Sequence, residues 1–290
     1  MKQLFTSMAL LILCAAANAQ EDSSKNLNRV DTIRVGNMVI IKDRSKSDNE
    51  KKFNTHITMG RNKKKNTSNV STNWGIVDLG FSNYHDKTDY ASAGSFLYNR
   101  AGATPLGEND FKLRTGKSIN VNIWFFMQRL SVIKHYVNLK YGLGLELNNY
   151  RYKSAISYLE TNPFSTPQAT TPIIFRDSIQ FSKNKLAADY ITVPFMLNLS
   201  TNPAYENKGL SVSVGVSAGY LYSQRNKQVS DERGKEKNKG DYDMERFKLS
   251  YIGEVGLGPV RLYGSYSPKS MYVNGLDMRP YTVGIRLSNW

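Results

Sequence analysis

Between residues 137 and 148 apolar and polar residues alternate without a break. Val137, Leu139, Tyr141, Leu143, Leu145 and Leu147 share one face; Asn138, Lys140, Gly142, Gly144, Glu146 and Asn148 share the other. A period of two marks a β-strand with one oily and one wet face. A tilted strand needs about 9–11 residues to cross a bilayer, so this segment is long enough to do so.

The pattern recurs and predicts eight strands, at 73–82, 118–128, 136–152, 186–199, 209–223, 247–256, 259–267 and 279–289. Their apolar faces include Val77, Leu79 and Phe81; Ile119, Val121, Ile123, Phe125 and Met127; and Ile191, Val193, Phe195, Leu197 and Leu199. Val212, Val214, Val216 and Tyr220 continue the series, followed by Leu249, Tyr251 and Val255, then Val260 and Leu262, then Val283, Ile285 and Leu287. Connections alternate long and short: long at 83–117, 153–185, 224–246 and 268–278, short at 129–135, 200–208 and 256–259. An even strand number with short turns on one side is the signature of a transmembrane barrel. The expected fold is all-β: an eight-stranded antiparallel transmembrane β-barrel with short periplasmic turns and long outer loops.

Charge agrees with this arrangement. Asp78, Lys140, Glu146, Lys248, Glu254, Arg261 and Arg286 all fall on the parity opposite the apolar face. A base facing lipid at the midplane would cost about 2–4 kcal/mol, so these seven are expected inside the barrel as structural charges. Pairing 256 with 259 would set Val255 opposite Val260 and Glu254 opposite Arg261, an ion pair within the barrel. Lys185 and Asp189 break the parity but lie above the apolar band of their strand. Pro194 sits inside a paired strand, where it loses a ladder hydrogen bond, and a bulge there is expected.

Ahead of the barrel, residues 1–19 read as a signal peptide, with Lys2, an apolar run from Leu4 to Ala17, and an Ala17-Asn18-Ala19 cleavage site. Cleavage near Ala19 removes Cys14, the one cysteine, and with it disulfides, thiol catalysis and cysteine-bound zinc. Residues 20–70 form an expected periplasmic segment, partly disordered, with a β-hairpin signal at 31–42 around Gly36-Asn37. Residues 71–290 form the barrel. Within 20–70, twelve Lys or Arg face six Asp or Glu, and Arg61-Asn62-Lys63-Lys64-Lys65 reads as a solvated linker before the first strand. The formal charge of +15 fits anionic lipid headgroups better than nucleic acid, which an exported chain rarely meets.

Candidate chemistry is sparse. His56 falls in the N-terminal segment, His85 in the first outer loop and His135 in a periplasmic turn, so they make no common metal site. Ser82, His85 and Asp86 could be drawn as a rim triad, but polar loop residues above a strand end are the plainer reading. Eight strands leave an interior just wide enough for side chains to fill it. With the seven charges, Trp124, Phe126 and Tyr263 all facing inward, a plug of paired charges and rings is expected over a channel. Ile173-Ile174-Phe175 is expected to extend the barrel as a sheet whose exposed edge could accept a partner's strand. The mixed charge of 224–246 suggests a soluble, mobile loop. Tyr84, Tyr150, Tyr220, Tyr222 and Tyr281 lie near strand ends, where aromatic girdles sit.

Four segments carry a family resemblance: Asn73-Trp74-Gly75-Ile76-Val77-Asp78-Leu79-Gly80; Lys140-Tyr141-Gly142-Leu143-Gly144-Leu145-Glu146-Leu147-Asn148-Asn149-Tyr150; Lys185-Leu186 with Tyr190-Ile191-Thr192-Val193-Pro194; and Tyr281-Thr282-Val283-Gly284-Ile285-Arg286-Leu287. They resemble the PorT-like outer-membrane barrel family of the Bacteroidetes, and 31–42 is similar to a short β-rich stretch these proteins often carry. The resemblance implies the outer membrane of a Gram-negative bacterium, and its namesake is associated with type IX secretion; it transfers no functional residue. Trp290 departs from the usual barrel ending, one residue out of phase with Tyr281, Val283, Ile285 and Leu287.

The expected role is a non-enzymatic scaffold for loop-mediated or periplasmic binding in envelope secretion or assembly, with no catalytic residue, cofactor or metal. Expected partners are outer-membrane lipid, the barrel assembly machinery during biogenesis, and an envelope or secretion protein. Two rivals stay open: a small passive channel, and a membrane-embedded enzyme acting on lipid or peptide.

Overall fold

The computed structural model describes residues 68–165, 167, 171–202, 209–257 and 260–287, and three strand backbones nearer the N-terminus. The chain divides into two units, Met1–Lys63 and Lys64–Trp290. In the first, β1 (Val30–Val35), β2 (Met38–Asp43) and β3 (Asn54–Met59) form an antiparallel sheet with β2 in the middle. Val35 stands opposite Met38, and β3 is a strand that the sequence pattern did not announce. Residues 1–19, the basic cluster at 61–65 and Trp290 lie outside the described residues.

The second unit contains β4 (Val70–Asp86), β5 (Leu97–Tyr98), α1 (Glu108–Phe111), β6 (Ile119–Ile133), β7 (Val137–Arg151), β8 (Ile156–Leu159), β9 (Ile173–Arg176), β10 (Lys183–Ser200), β11 (Leu210–Ser230), β12 (Gly234–Lys239), β13 (Phe247–Leu257), β14 (Val260–Tyr266) and β15 (Met278–Leu287). Eight of these close an antiparallel ring in the order β4, β6, β7, β10, β11, β13, β14, β15, and β15 pairs back to β4. They are the eight strands the alternation predicts, several of them longer at the outer end. Leu79, Phe81, Val193, Phe195, Val216, Leu249, Val255, Leu262 and Val283 are all exposed on the outer wall, while the intervening residues are buried or, at glycines such as Gly80, Gly215 and Gly284, half-buried. An exposed apolar wall around a charged interior is stable only with hydrocarbon outside.

Several local expectations change. Leu257 pairs with Val260 and Glu254 with Tyr263, so the last short hairpin is registered one residue later than the turn sequence suggests. Arg261 therefore sits opposite Gly256 and reaches Glu254 diagonally, at 3.1 Å. At Pro194 there is no bulge. The β10–β11 register runs through it unbroken, and the β10–β7 pairing lapses at 193–194, so the missing N–H falls on the β7 side. The bulge in the β10–β11 ladder lies instead at Asp189/Tyr190.

A further bulge between Trp124 and Phe126 flips the rest of β6. Met127, expected outside, is fully buried in a cluster with Ile76, Trp124 and Met196. Phe126 packs instead against exposed Trp74, ring centroids 5.9 Å apart. Gly75, next to Trp74, takes φ +66°, a conformation glycine tolerates and other residues rarely adopt.

The short turn after β6 has Lys134 and His135 both at positive φ, with Tyr136 N–H donating to Ile133 O at 2.8 Å. Two left-handed central residues match the twist of a tight hairpin.

Beyond the wall, the long connections fold into a cap. β9 is the middle strand of a sheet with β5 and β8, and Ile173, Ile174 and Phe175 are buried, so β9 offers no exposed edge. Segment 224–246 is not an irregular loop: β11 continues to Ser230 and β12 pairs back onto it, with Arg225 opposite Lys239. His85 belongs to β4, opposite Arg279 of β15, rather than to a loop.

Candidate functional site

All seven charges expected inside the barrel are buried there. Period-two geometry puts them inward, and the cost of charge in lipid keeps them there. Two clusters form. Toward the short-turn end, Arg286 Nε and Nη2 donate to Asp78 Oδ1 and Oδ2 at 2.7 and 2.8 Å, and its Nη1 donates to Glu254 Oε2 at 2.5 Å. Glu254 Oε1 also accepts from Lys140 Nζ at 2.8 Å and from Arg261 Nη1 at 3.1 Å. Trp124 Nε1 and Asn122 Nδ2 complete the shell of Asp78 at 2.7 and 3.1 Å.

Toward the outer end, Lys248 is ion-paired with Glu146 and lies 4.5 Å over the Tyr190 ring. Asn148 Nδ2 donates to Glu146 Oε1 at 3.0 Å, and Asn120 Nδ2 links to Asn148 and Asn122. Each carboxylate is thus held by at least one cation, and Asp78 and Glu146 by asparagine amides as well, which is what a dry interior requires.

The glycines of the wet face make room for this plug. A Cβ on Gly144 would stand 2.7 Å from Trp124 Cε3, and one on Gly284 would stand 2.7 Å from Tyr263 Cε1. The Tyr263 hydroxyl then donates to Asn120 Oδ1 across the barrel. A cavity bounded by Trp124, Glu146, Thr192, Pro194, Glu254 and Arg286 holds about 30 Å³, room for a water or two.

The asparagines and Trp124 are partners that charge parity could not find. Their signal was an amide or indole on the wet parity of β6 and β7, a position where a polar group needs a partner.

The rim triad does not assemble. Ser82 is buried and donates to Asn149 O at 3.2 Å, whereas His85 faces outward from the other side of β4. Asp86 accepts from Tyr90 Oη at 2.5 Å and from Thr88 N at 2.9 Å. Among the described residues, no group of three His, Cys, Asp or Glu side chains is placed to hold a metal ion.

The cap packs around an apolar core of Phe96, Leu106, Phe111, Ile174 and Met271, which continues onto Tyr150, Leu186 and Met278 at the outer ends of β7, β10 and β15. Buried tyrosines lace it together. Tyr158 shares hydrogen bonds with Tyr152 at 2.6 Å and Tyr272 at 2.9 Å, and Tyr242 donates to Asn238 O at 2.8 Å. Burial pushes the Tyr242 phenol up to about 12 and raises Tyr152, Tyr158 and Tyr272 well above their ordinary value. They therefore stay protonated donors at neutral pH. Arg176 clasps Asp110, at 3.0 and 2.7 Å, and Arg233 holds Asp177 at 2.8 Å, tying the tip of the β11–β12 hairpin to the segment after β9.

Two clefts open on the outer half. One, of about 190 Å³, lies on the cap beside Tyr98, Arg100, Leu106 and Arg176. The other, of about 520 Å³, is a rim notch where β11 parts from β13, lined by Tyr220, Tyr222, Lys239, Asp241 and Arg246.

A family model described as an outer membrane protein beta-barrel domain matches residues 87–268, more than half of the chain. No curated protein matches the sequence. The match spans β5 to β14 and the connections that build the cap, in agreement with the closed ring and its exposed apolar wall. The chain belongs to the outer-membrane β-barrel domain family.

Proposed function

We propose that this protein is a non-enzymatic scaffold of the outer membrane whose folded cap presents a fixed surface to an envelope partner. The observation that carries the reading is the cap core: the long connections bury Phe96, Phe111, Ile156, Tyr158, Ile174 and Tyr272 together rather than staying as separate loops. Ordering so much chain costs entropy that the buried core offsets, and a surface ordered in advance binds a partner without meeting that cost again. The paired interior argues in the same direction, since ion pairs and rings occupy the space a solute would need. The PorT-like resemblance adds secretion or envelope assembly as the setting.

Site-specific photo-crosslinking from exposed cap residues Phe164 and Val273 in intact cells tests this. The expected result is one discrete adduct with an envelope protein, lost when Tyr158 and Tyr272 are replaced together; no adduct from either position would defeat the reading. Planar-bilayer recording separates the channel rival: a steady open state, altered by Lys140→Gln or Arg261→Gln, would replace the scaffold by a pore. Turnover of lipid or peptide that disappears in His85→Ala would instead make it an enzyme.

A further inference from the structure

We propose that the outward face of β10, β11 and β12 above the membrane is a binding plate for the phosphate- or carboxylate-bearing sugars of an anionic outer-leaflet glycolipid. Four bases from four neighbouring strands stand in one cross-strand row: Arg151 opposite Lys185, Lys185 opposite Lys227, and Lys227 opposite Lys237. The flanking rows add Lys183 and Lys235 on either side of Val229, and Arg225 opposite Lys239. Like charges directly opposite each other in a sheet are unfavourable, so the row calls for a counter-charge.

Little of that counter-charge comes from the protein. Asp189 stands on this face but is ion-paired with Arg225. Among the described residues, Lys183, Lys227, Lys235, Lys237 and Lys239 have no carboxylate within ion-pair distance. Lys185 donates to the Asn149 amide. Burial, Lys183, Lys227 and Arg225 push the Lys185 ammonium down to about 8, and Lys235 foremost lowers Lys227. Burial leads for Lys185 and neighbouring charge for Lys227, and crowded bases add to the first shift as they drive the second.

Position selects the ligand. The pairing of β10 with β7 is regular from Lys185 to Thr192, and Lys183 and Lys185 fall on the parity of lipid-exposed Ile191, Val193 and Phe195. On β11 the bulge carries the outward face from Tyr220 and Tyr222 to Arg225 and Lys227, while Asn226 and Gln228 turn inward. The plate therefore faces sideways, over the lipids next to the barrel. Lys185 lies six residues above Ile191, the outermost exposed apolar residue of this face of β10 and opposite Tyr220, about 20 Å along the strand and roughly 15 Å higher along the membrane normal at the usual tilt. That is beyond a phospholipid phosphate, and within reach of a charged saccharide headgroup.

The test reconstitutes the full-length protein in phosphatidylcholine vesicles doped with rough lipopolysaccharide or, separately, with phosphatidylglycerol, dissolves them in mild detergent, and measures the lipid retained on affinity purification. Wild type should retain lipopolysaccharide in preference to phosphatidylglycerol, less so at high salt. Lys185→Gln/Lys227→Gln/Lys237→Gln should lower retention by about ten-fold or more. Lys112→Gln/Lys117→Gln/Lys153→Gln, which removes the same charge elsewhere on the outer half, should leave retention unchanged. Lys235→Gln/Lys237→Gln/Lys239→Gln on exposed β12 avoids any folding defect in the barrel wall and should reduce retention in the same direction. Equal retention of both lipids, undiminished retention in the plate variants, or stronger binding of soluble heparin than of lipopolysaccharide would overturn the proposal, the last by assigning the plate to a soluble polyanion.

Discussion

Arg286 and Asp78 stand directly opposite each other across the β15–β4 seam and are joined by two hydrogen bonds, at 2.7 and 2.8 Å. The last strand of the ring is thus locked to the first by a bidentate pair buried in the barrel. Asp78→Leu would leave Arg286 sharing Glu254 with Lys140 and Arg261, four interior cations against two carboxylates. The expected cost is about 3–5 kcal/mol, the usual result of orphaning a buried charge. Asp78→Leu/Arg286→Leu should recover much of it, because Glu254 keeps Lys140 and Arg261. Urea unfolding in detergent micelles, followed by the mobility of the unboiled protein, reads both; a double variant as weak as the two single losses added together would refute the pairing.

The inward glycines make a second prediction. Gly144→Ala would press its methyl against Trp124 Cε3 at 2.7 Å and Trp124 Cα at 2.8 Å, backbone included, so the neighbouring strand must shift. A loss of about 1–3 kcal/mol is expected, typical of overpacking. Gly253→Ala, on the lipid face with its nearest neighbour at 3.9 Å, should change stability by no more than about 0.5 kcal/mol. Equal unfolding midpoints for the two variants would remove the socket role of Gly144.

The wall was legible because a membrane imposes one rule on every residue of a strand. Charge must face in and oil must face out, so Lys140 and Glu146 declare their side without any knowledge of their partners. Where both faces of a run are apolar, as in Ile123-Trp124-Phe125-Phe126-Met127, parity carries no information, and the bulge that buries Met127 was invisible. The turn at 256–259 failed for a related reason, since Val255 meets an apolar partner in either register. Partner identity lay further out of reach: Arg286 and Asp78 are 208 residues apart in sequence. The cap was hidden for the same reason. Ile173, Ile174 and Phe175 are all buried between two other short strands, so they show no alternation, and their sheet exists only once distant connections meet.

Acid should loosen the cap before the barrel. Burial raises the Asp177 carboxyl, but hydrogen bonds from Arg233, Ile179 N–H and Ser157 outweigh it and hold the group below its ordinary 3.8. A depressed carboxyl stabilises the folded state above its unfolded pKa, and that contribution is lost as pH falls through the folded value. The window therefore lies below about pH 4. The hairpin tip around Arg233 should become sensitive to pepsin there while the barrel still resists boiling-free gel denaturation. Asp177→Asn should expose the same tip to trypsin at pH 7. An Asp177→Asn hairpin as protected as wild type at pH 7 would show that Arg233 does not anchor it.

Tyr158 tests whether the cap opens as a unit. Its hydroxyl bridges Tyr152 and Tyr272, and its ring packs 5.4 Å from that of Tyr242, so one side chain joins three connections. Tyr158→Phe keeps the ring and removes the bridge. The two remaining phenols can still meet each other, so the expected loss is about 1–2 kcal/mol rather than the full penalty of two orphaned donors. The cap core reaches Tyr150 of β7 and Met278 of β15, so the loss should fall on the cap and those outer strand ends and leave the wall around Lys140 and the Arg286–Asp78 seam untouched. Hydrogen exchange should quicken together in β8, β9 and the segment around Tyr272, by about ten-fold, with the inner halves of β7 and β15, around Lys140 and Arg286, unchanged. Faster exchange confined to β8 would mean that the cap is a set of independent loops, and acceleration that reached Arg286 would mean that cap and barrel unfold as one.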